Sequence, residues 1–115
     1  MPATFPEANY ETEGFVLSTT NLTTIYTVPV GFEGGVMVTE LLASDQDGTA
    51  NTLLVKVTLD GTARVLGQAN VVPAAGYFKM NFNGLVMNEG DIFQVQAGSI
   101  TVDGYLGLLQ NARES

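Results

Sequence analysis

An all-β fold, an antiparallel β-sandwich of about eight strands, is predicted for this chain by three observations. Apolar and polar residues alternate in short runs, most clearly where Leu53, Val55, Val57 and Leu59 alternate with Leu54, Lys56 and Thr58. A period of two places every second side chain on one face of a strand. Gly, Asn, Asp and Pro separate these runs at regular intervals, as in sandwiches and barrels. No stretch carries a sustained helical period with caps. The strand count suits a jelly roll.

Taken in order, the first 13 residues read as an extended arm. Pro2, Pro6, Glu7, Glu11 and Glu13 surround Phe5 and Tyr10 without helical period. Such a segment is either an unordered terminus or a tail that docks on a neighbour, with Phe5 and Tyr10 as its anchors. The sandwich domain then covers residues 14–110, and 111–115 form a C-terminal tail. Phe15-Val16-Leu17 opens the first strand. Residues 24–28 form the second, stopped by Pro29 and Gly31. Gly34-Gly35 leads into a strand over 36–43, and residues 45–48 turn. After the strand over 53–59, Asp60-Gly61 makes a hairpin with residues 64–72. Residues 73–76 loop, and Phe78, Met80 and Phe82 alternate along the next strand. Asn83-Gly84 and residues 88–91 bracket a short strand at 85–87. Phe93, Val95 and Ala97 alternate again, and Gly98-Ser99 turns into a last strand over 100–109.

Two strands depart from simple alternation. Val36 and Val38 face opposite to Met37 and Leu41, and Leu106, Leu108 and Leu109 also load both faces. A sheet in a two-layer sandwich has one buried side. The second apolar face is therefore either covered by another subunit or a scattering of ordinary surface hydrophobes. Under the first reading Tyr105, Leu106 and Leu108 sit at a subunit contact.

The composition narrows the partners. The chain of 115 residues, one domain in length, carries 12 acidic and 4 basic residues, a formal charge of −8. Lys56, Arg64, Lys79 and Arg113 are scattered and form no basic footprint, so no nucleic acid and no anionic membrane is expected as a partner. Charged residues are only 14% of the chain while 45% are hydrophobic. So little charge implies either burial against partners or a surface rich in Thr, Asn, Gln and Gly. No apolar run approaches a membrane span and no leader is expected at the N-terminus.

The chain has no histidine, cysteine or tryptophan. That removes the common neutral-pH base, thiol and Ser-His-Asp chemistry, and the soft metal ligands. Asp45/Asp47 and Glu89/Asp91 remain as carboxylate pairs, both in turns. An enzymatic function is not expected, nor is any cofactor. Asp45 and Asp47 are weak candidates for calcium, which favours oxygen-rich loops. An EF-hand loop counted from Asp45 would need glycine at Ala50 and glutamate at Lys56, so a plain turn accounts better for the segment.

Two segments carry a resemblance. Thr24-Ile25-Tyr26-Thr27-Val28-Pro29-Val30-Gly31 resembles the strand-ending T-x-L-Y-T-V-P-x-G of small β-sandwich virion structural proteins of tailed bacteriophages. Residues 85–95, containing Asn88-Glu89-Gly90-Asp91, are similar to the L-x-L-x-x-G-D-x-(I/V)-x-V segment of the same group. The likeness spans roughly residues 20–106, and it departs after the third strand, where Ser44-Asp45 stands in place of a common Asn. A Gly-Asp turn also occurs in the trimeric jelly rolls of the complement and tumour-necrosis-factor type. What the resemblance implies is a capsid decoration (cement) protein on the outer capsid surface, assembled in the bacterial cytoplasm. Its expected partners are copies of itself, as a homotrimer, and the major capsid protein. Head-fibre, tail and adaptor roles, or host-glycan binding, are the alternatives.

Overall fold

A computed structural model describes residues 8–30, 35–46 and 48–111. Eight strands follow one another: β1 (Ala8–Val16), β2 (Thr23–Thr27), β3 (Val36–Asp45), β4 (Asn51–Leu59), β5 (Thr62–Val72), β6 (Tyr77–Met87), β7 (Ile92–Ala97) and β8 (Val102–Asn111). They form two four-stranded sheets, β1-β8-β3-β6 and β2-β7-β4-β5, with every pair antiparallel. The first with the eighth, the second with the seventh, the third with the sixth and the fourth with the fifth is the pairing of a long hairpin rolled into a sandwich. The jelly-roll expectation holds.

The hairpin at the centre of that ribbon forms for a local reason. Asp60 and Gly61 have φ of 57° and 82°, the two positive values that a tight two-residue turn with the right strand twist requires. Leu59 then pairs with Thr62. Leu53, Val55 and Val57 from β4 and Phe93, Val95 and Ala97 from β7 point into the core, as their alternation predicted. They meet Val36, Val38, Leu41 and Ala43 from β3 and Leu106 and Leu108 from β8. Phe82 packs edge-on against Phe93, ring centres 6.0 Å apart.

Three expectations are corrected. Residues 8–13 are not an arm that ends at Gly14. They belong to β1, which pairs with β8 without interruption from Ala8–Asn111 to Val16–Asp103. Asn83-Gly84 is not a turn, because β6 runs through it; the register against β3 shifts there instead. Val38 and Leu41 do not face opposite ways. Thr39 and Glu40 together oppose Gly107 in a β-bulge, which moves the alternation by one residue and returns Leu41 to the core.

Candidate functional site

The residues expected to carry function are placed as follows. Phe5 and Asp47 lie outside the described residues, and so does the side chain of Tyr10, whose backbone pairs with Leu109. Leu106 and Leu108 are fully buried inside the chain. They line the core and are not available to a subunit contact, which corrects that expectation. Tyr105 does reach the outer face of its sheet, where it is half-buried.

The acidic turn residues hold loops together. Asp45 is 2% exposed. Its Oδ1 accepts a hydrogen bond from Thr101 Oγ1 at 3.0 Å and its Oδ2 one from Asn51 Nδ2 at 2.8 Å, tying the β3–β4 loop to the β7–β8 turn. Next to it, Ser44 Oγ and Gln46 Nε2 donate to Asp103. Among the described residues no group of three or more acidic, histidine or cysteine side chains could hold a metal. Asp45 is a buried acceptor whose bonds to Thr101 and Asn51 tie two loops together.

Asp91 plays the same part at the opposite end. It is nearly buried, and its carboxylate accepts from the backbone N–H groups of Asp60 (3.0 Å) and Asn88 (2.8 Å). Gly90 beside it takes φ of 84°, which glycine adopts without strain. Its N–H donates to the Val28 carbonyl, and the Val28 N–H donates to the Asp91 carbonyl, each at 3.0 Å. The two sequence segments that carry the resemblance thus touch each other. Gly90 and Asp91 hold that contact through backbone geometry. Among the described residues, no buried side-chain nitrogen or oxygen lacks a hydrogen-bond partner.

Both outer faces of the sandwich carry apolar side chains: on the β2-β7-β4-β5 sheet Val65 and Val71, 47% and 55% exposed, pair with Lys56 and Thr52. On the β2-β7-β4-β5 sheet, Thr24, Gln94 and Lys56 form a polar cross-strand row, with Gln94 Nε2 donating to Thr24 Oγ1 at 3.0 Å. A shallow open groove on this side, about 450 Å³, is lined by Thr20, Thr52, Leu54, Gln96, Ala97 and Gly98. It holds no aromatic ring on which a sugar could stack and no charged group. On the β1-β8-β3-β6 sheet, Leu109, Met37 and Val86 are direct cross-strand partners. Their chain neighbours Leu108, Val38, Val36 and Met87 are buried, so this row lies on the outer face. Val86 is 44% exposed and the other two are half-buried. Four residues back along β8, Leu42 pairs with Tyr105 and Lys79.

Glu40 sits between these rows, at the bulge. Tyr105 Oη donates to its Oε2 at 2.9 Å and Lys79 Nζ approaches its Oε1 at 3.2 Å. The Tyr105 hydrogen bond, followed by that of Lys79, holds the Glu40 carboxyl below its ordinary 4.5. The same bond to Glu40 raises the Tyr105 phenol above 10.0. Both groups are solvent-accessible, so the stabilisation is small and screened. Its sign is definite. The Glu40 contribution is complete above pH 4.5 and disappears as pH falls through the lowered value. That of Tyr105 is complete below pH 10.0 and disappears as pH rises through the raised one. In Tyr105→Phe, the Glu40 carboxyl is expected to titrate at higher pH than in the parent, read from its carbon NMR shift. An unchanged midpoint would remove the hydrogen bond from this account. No alternation pattern pointed to this trio, because the bulge that places Glu40 leaves no mark in the sequence.

No family model, no curated protein and no solved structure matches this chain.

Proposed function

We propose that this chain is a non-enzymatic structural protein of a phage virion, a capsid decoration protein that adheres to the outer shell and to copies of itself as a homotrimer. The observation that carries the reading is the apolar row on the outer face of the β1-β8-β3-β6 sheet. That sheet presents Leu109, Met37, Val86 and Leu42 across three strands; the other mixes Thr24, Gln94 and Lys56 with the exposed Val65 and Val71. Ordered apolar rows on the outside of a small sandwich serve contact. The described acids at its ends are engaged in holding loops, which leaves adhesion as the work the fold can do. The jelly-roll pairing and the contact between Val28 and the Gly90-Asp91 turn support the phage resemblance, which is an argument from fold and motif. The self-contact belongs on Met37, Leu42 and Leu109 with Tyr105, in place of the buried Leu106 and Leu108. Many copies, each adding a weak contact, would stiffen a shell through multivalency.

An electron-microscopy map of the particle that carries this chain tests the reading. Density spread over the outer shell in threefold clusters is the expected result. A single ring at one vertex would make the chain an adaptor or tail component, and absence from the particle would overturn the proposal. Sedimentation of the purified protein checks the trimer separately. Met37→Lys with Leu109→Lys is expected to shift it to monomer without loss of strand signal in circular dichroism.

A further inference from the structure

We infer that the flank of the sandwich between β5 and β6 is the second half of the self-contact, and that it seats the Met37, Leu42 and Leu109 row of a neighbouring copy. The inference rests on the homotrimer reading and supplies a surface which that reading needs. Three copies around one axis do not meet like to like. Each offers one patch to the copy before it and a different patch to the copy after it, so the row must have a complement elsewhere on the chain.

The flank is where the core is least covered. β5 and β6 are end strands of their sheets and lie against each other. β6 turns Phe78, Met80 and Leu85 inward, opposite Ala43, Leu41 and Val38, and Phe82 joins them against Phe93. All four stay half-buried, while Leu41, Val38 and Phe93 are fully enclosed. The cause lies in β5. Its residues in register with the core positions Val57, Val55 and Leu53 are Arg64, Gly67 and Asn70, and none brings a large apolar side chain to the gap. Around the gap Val65, Leu66 and Val71 of β5 and Val86 of β6 are exposed as well. Apolar surface gathered in this way on a small domain marks a contact site.

Charge selects a second copy as the occupant. Residues 61–88, which hold both strands, contain none of the chain's 12 acidic residues and two of its 4 basic ones, Arg64 and Lys79. Lys79 turns to the row's face and pairs with Glu40 there, so Arg64 is the cation of the seam. The row's face also carries Asp103, beside Ser44. Row on row would bring the acids of both copies together, and like charges facing each other repel. Row on seam sets them against an acid-free stretch that holds Arg64. The geometry agrees. A ring of three needs its two patches on adjacent sides of the subunit, since patches on opposite sides stack copies into an open filament. The seam adjoins the row's sheet along β6.

Sedimentation of mixed variants is the test. Met37→Lys with Leu109→Lys spoils the row, and Arg64→Glu with Leu66→Glu spoils the seam at exposed positions. Each variant alone is expected to be monomeric. Their mixture is expected to form pairs, because the intact seam of the first meets the intact row of the second while no ring can close. Circular dichroism checks that both fold. With a trimeric parent, a seam variant that still trimerises, or a mixture that stays monomeric, overturns the inference and leaves the homotrimer reading standing. A monomeric parent removes that reading and the inference with it. Cross-linking serves where a charge variant does not fold. The chain has no cysteine, so Leu66→Cys mixed with Leu42→Cys should oxidise to a mixed disulfide in preference to either variant alone. Equal cross-linking of Leu42→Cys to itself overturns the inference.

Discussion

Gly104→Ala is expected to destabilise the domain by at least about 3 kcal/mol, the upper end for overpacking a filled site, or to prevent folding. Gly104 lies in β8 between Phe15 on one side and Ala43 on the other. A Cβ built on it would run into the carbonyl oxygen of Leu42, with the Leu42 carbonyl carbon and the Ala43 Cα also at or within 3.0 Å. These are backbone atoms of a central strand, so no rotamer change relieves the contact. The strands themselves must separate, and that loosens the packing of Leu41, Ala43 and Leu106 behind them. Urea unfolding of the purified variant measures the effect. A loss below about 1 kcal/mol, the typical cost of an ordinary substitution, would mean that β3 and β8 do not approach this closely. Gly14→Ala is the matched control, since its nearest neighbour would be 3.8 Å away.

The second large effect is expected at Asp91. Its carboxylate satisfies two backbone donors from separate loops, the Asp60 N–H in the β4–β5 turn and the Asn88 N–H before β7. Asp91→Ala leaves both donors without their acceptor near the core margin. Each unsatisfied buried donor costs about 1–3 kcal/mol, so a total of roughly 2–6 kcal/mol is expected, and less where water enters. Asp91→Asn retains one acceptor oxygen but presents an amide N–H₂ to the other donor, and should fall between the parent and alanine. Chemical denaturation gives the energies. Hydrogen exchange adds a sharper readout, because the Asp60 amide should lose protection even under conditions where β4 and β7 keep theirs. If Asp91→Ala unfolds with the parent's midpoint, the carboxylate is not the tie described here.

How far the sequence revealed this structure depended on whether the responsible interaction was local. Asp60-Gly61 announces its turn because two adjacent residues must both adopt positive φ. The alternation of β4 and β7 is legible because one face of each is fully buried. β1 was read as an arm because an edge strand needs little burial and tolerates Glu11, Thr12 and Glu13. What orders it is a ladder to residues 103–111 at the far end of the chain, and no local pattern encodes that. The bulge at Thr39-Glu40 produced a different error. By shifting the alternation it made the core residue Leu41 look outward-facing; in β8, with apolar groups on both faces, the pattern did not tell the inward Leu106 and Leu108 from the outward Leu109. The genuine outer row could not be separated from the core residues beside it until the register was known. Asp91 was legible as a turn residue, but its hold on Asp60 crosses 31 positions and depends on β4 and β7 pairing side by side.

Nested pairing puts the cheapest loop closure in the middle of the chain and the costliest between its ends. Leu59 and Thr62 meet almost at once, whereas Ala8 must wait for Asn111. The entropy of closing a loop grows with its length, and topologies dominated by such distant pairs fold slowly. During synthesis β1 emerges first and stays unmatched until β8 has left the ribosome, with Phe15 exposed throughout. The seam between these two strands is then expected to close last on folding and to open first on unfolding, which hydrogen exchange of the β1 and β8 amides would check. A strand that spends its early life unmatched must resist every wrong ladder offered to it, and Glu11 and Glu13 lie along it from the moment it appears.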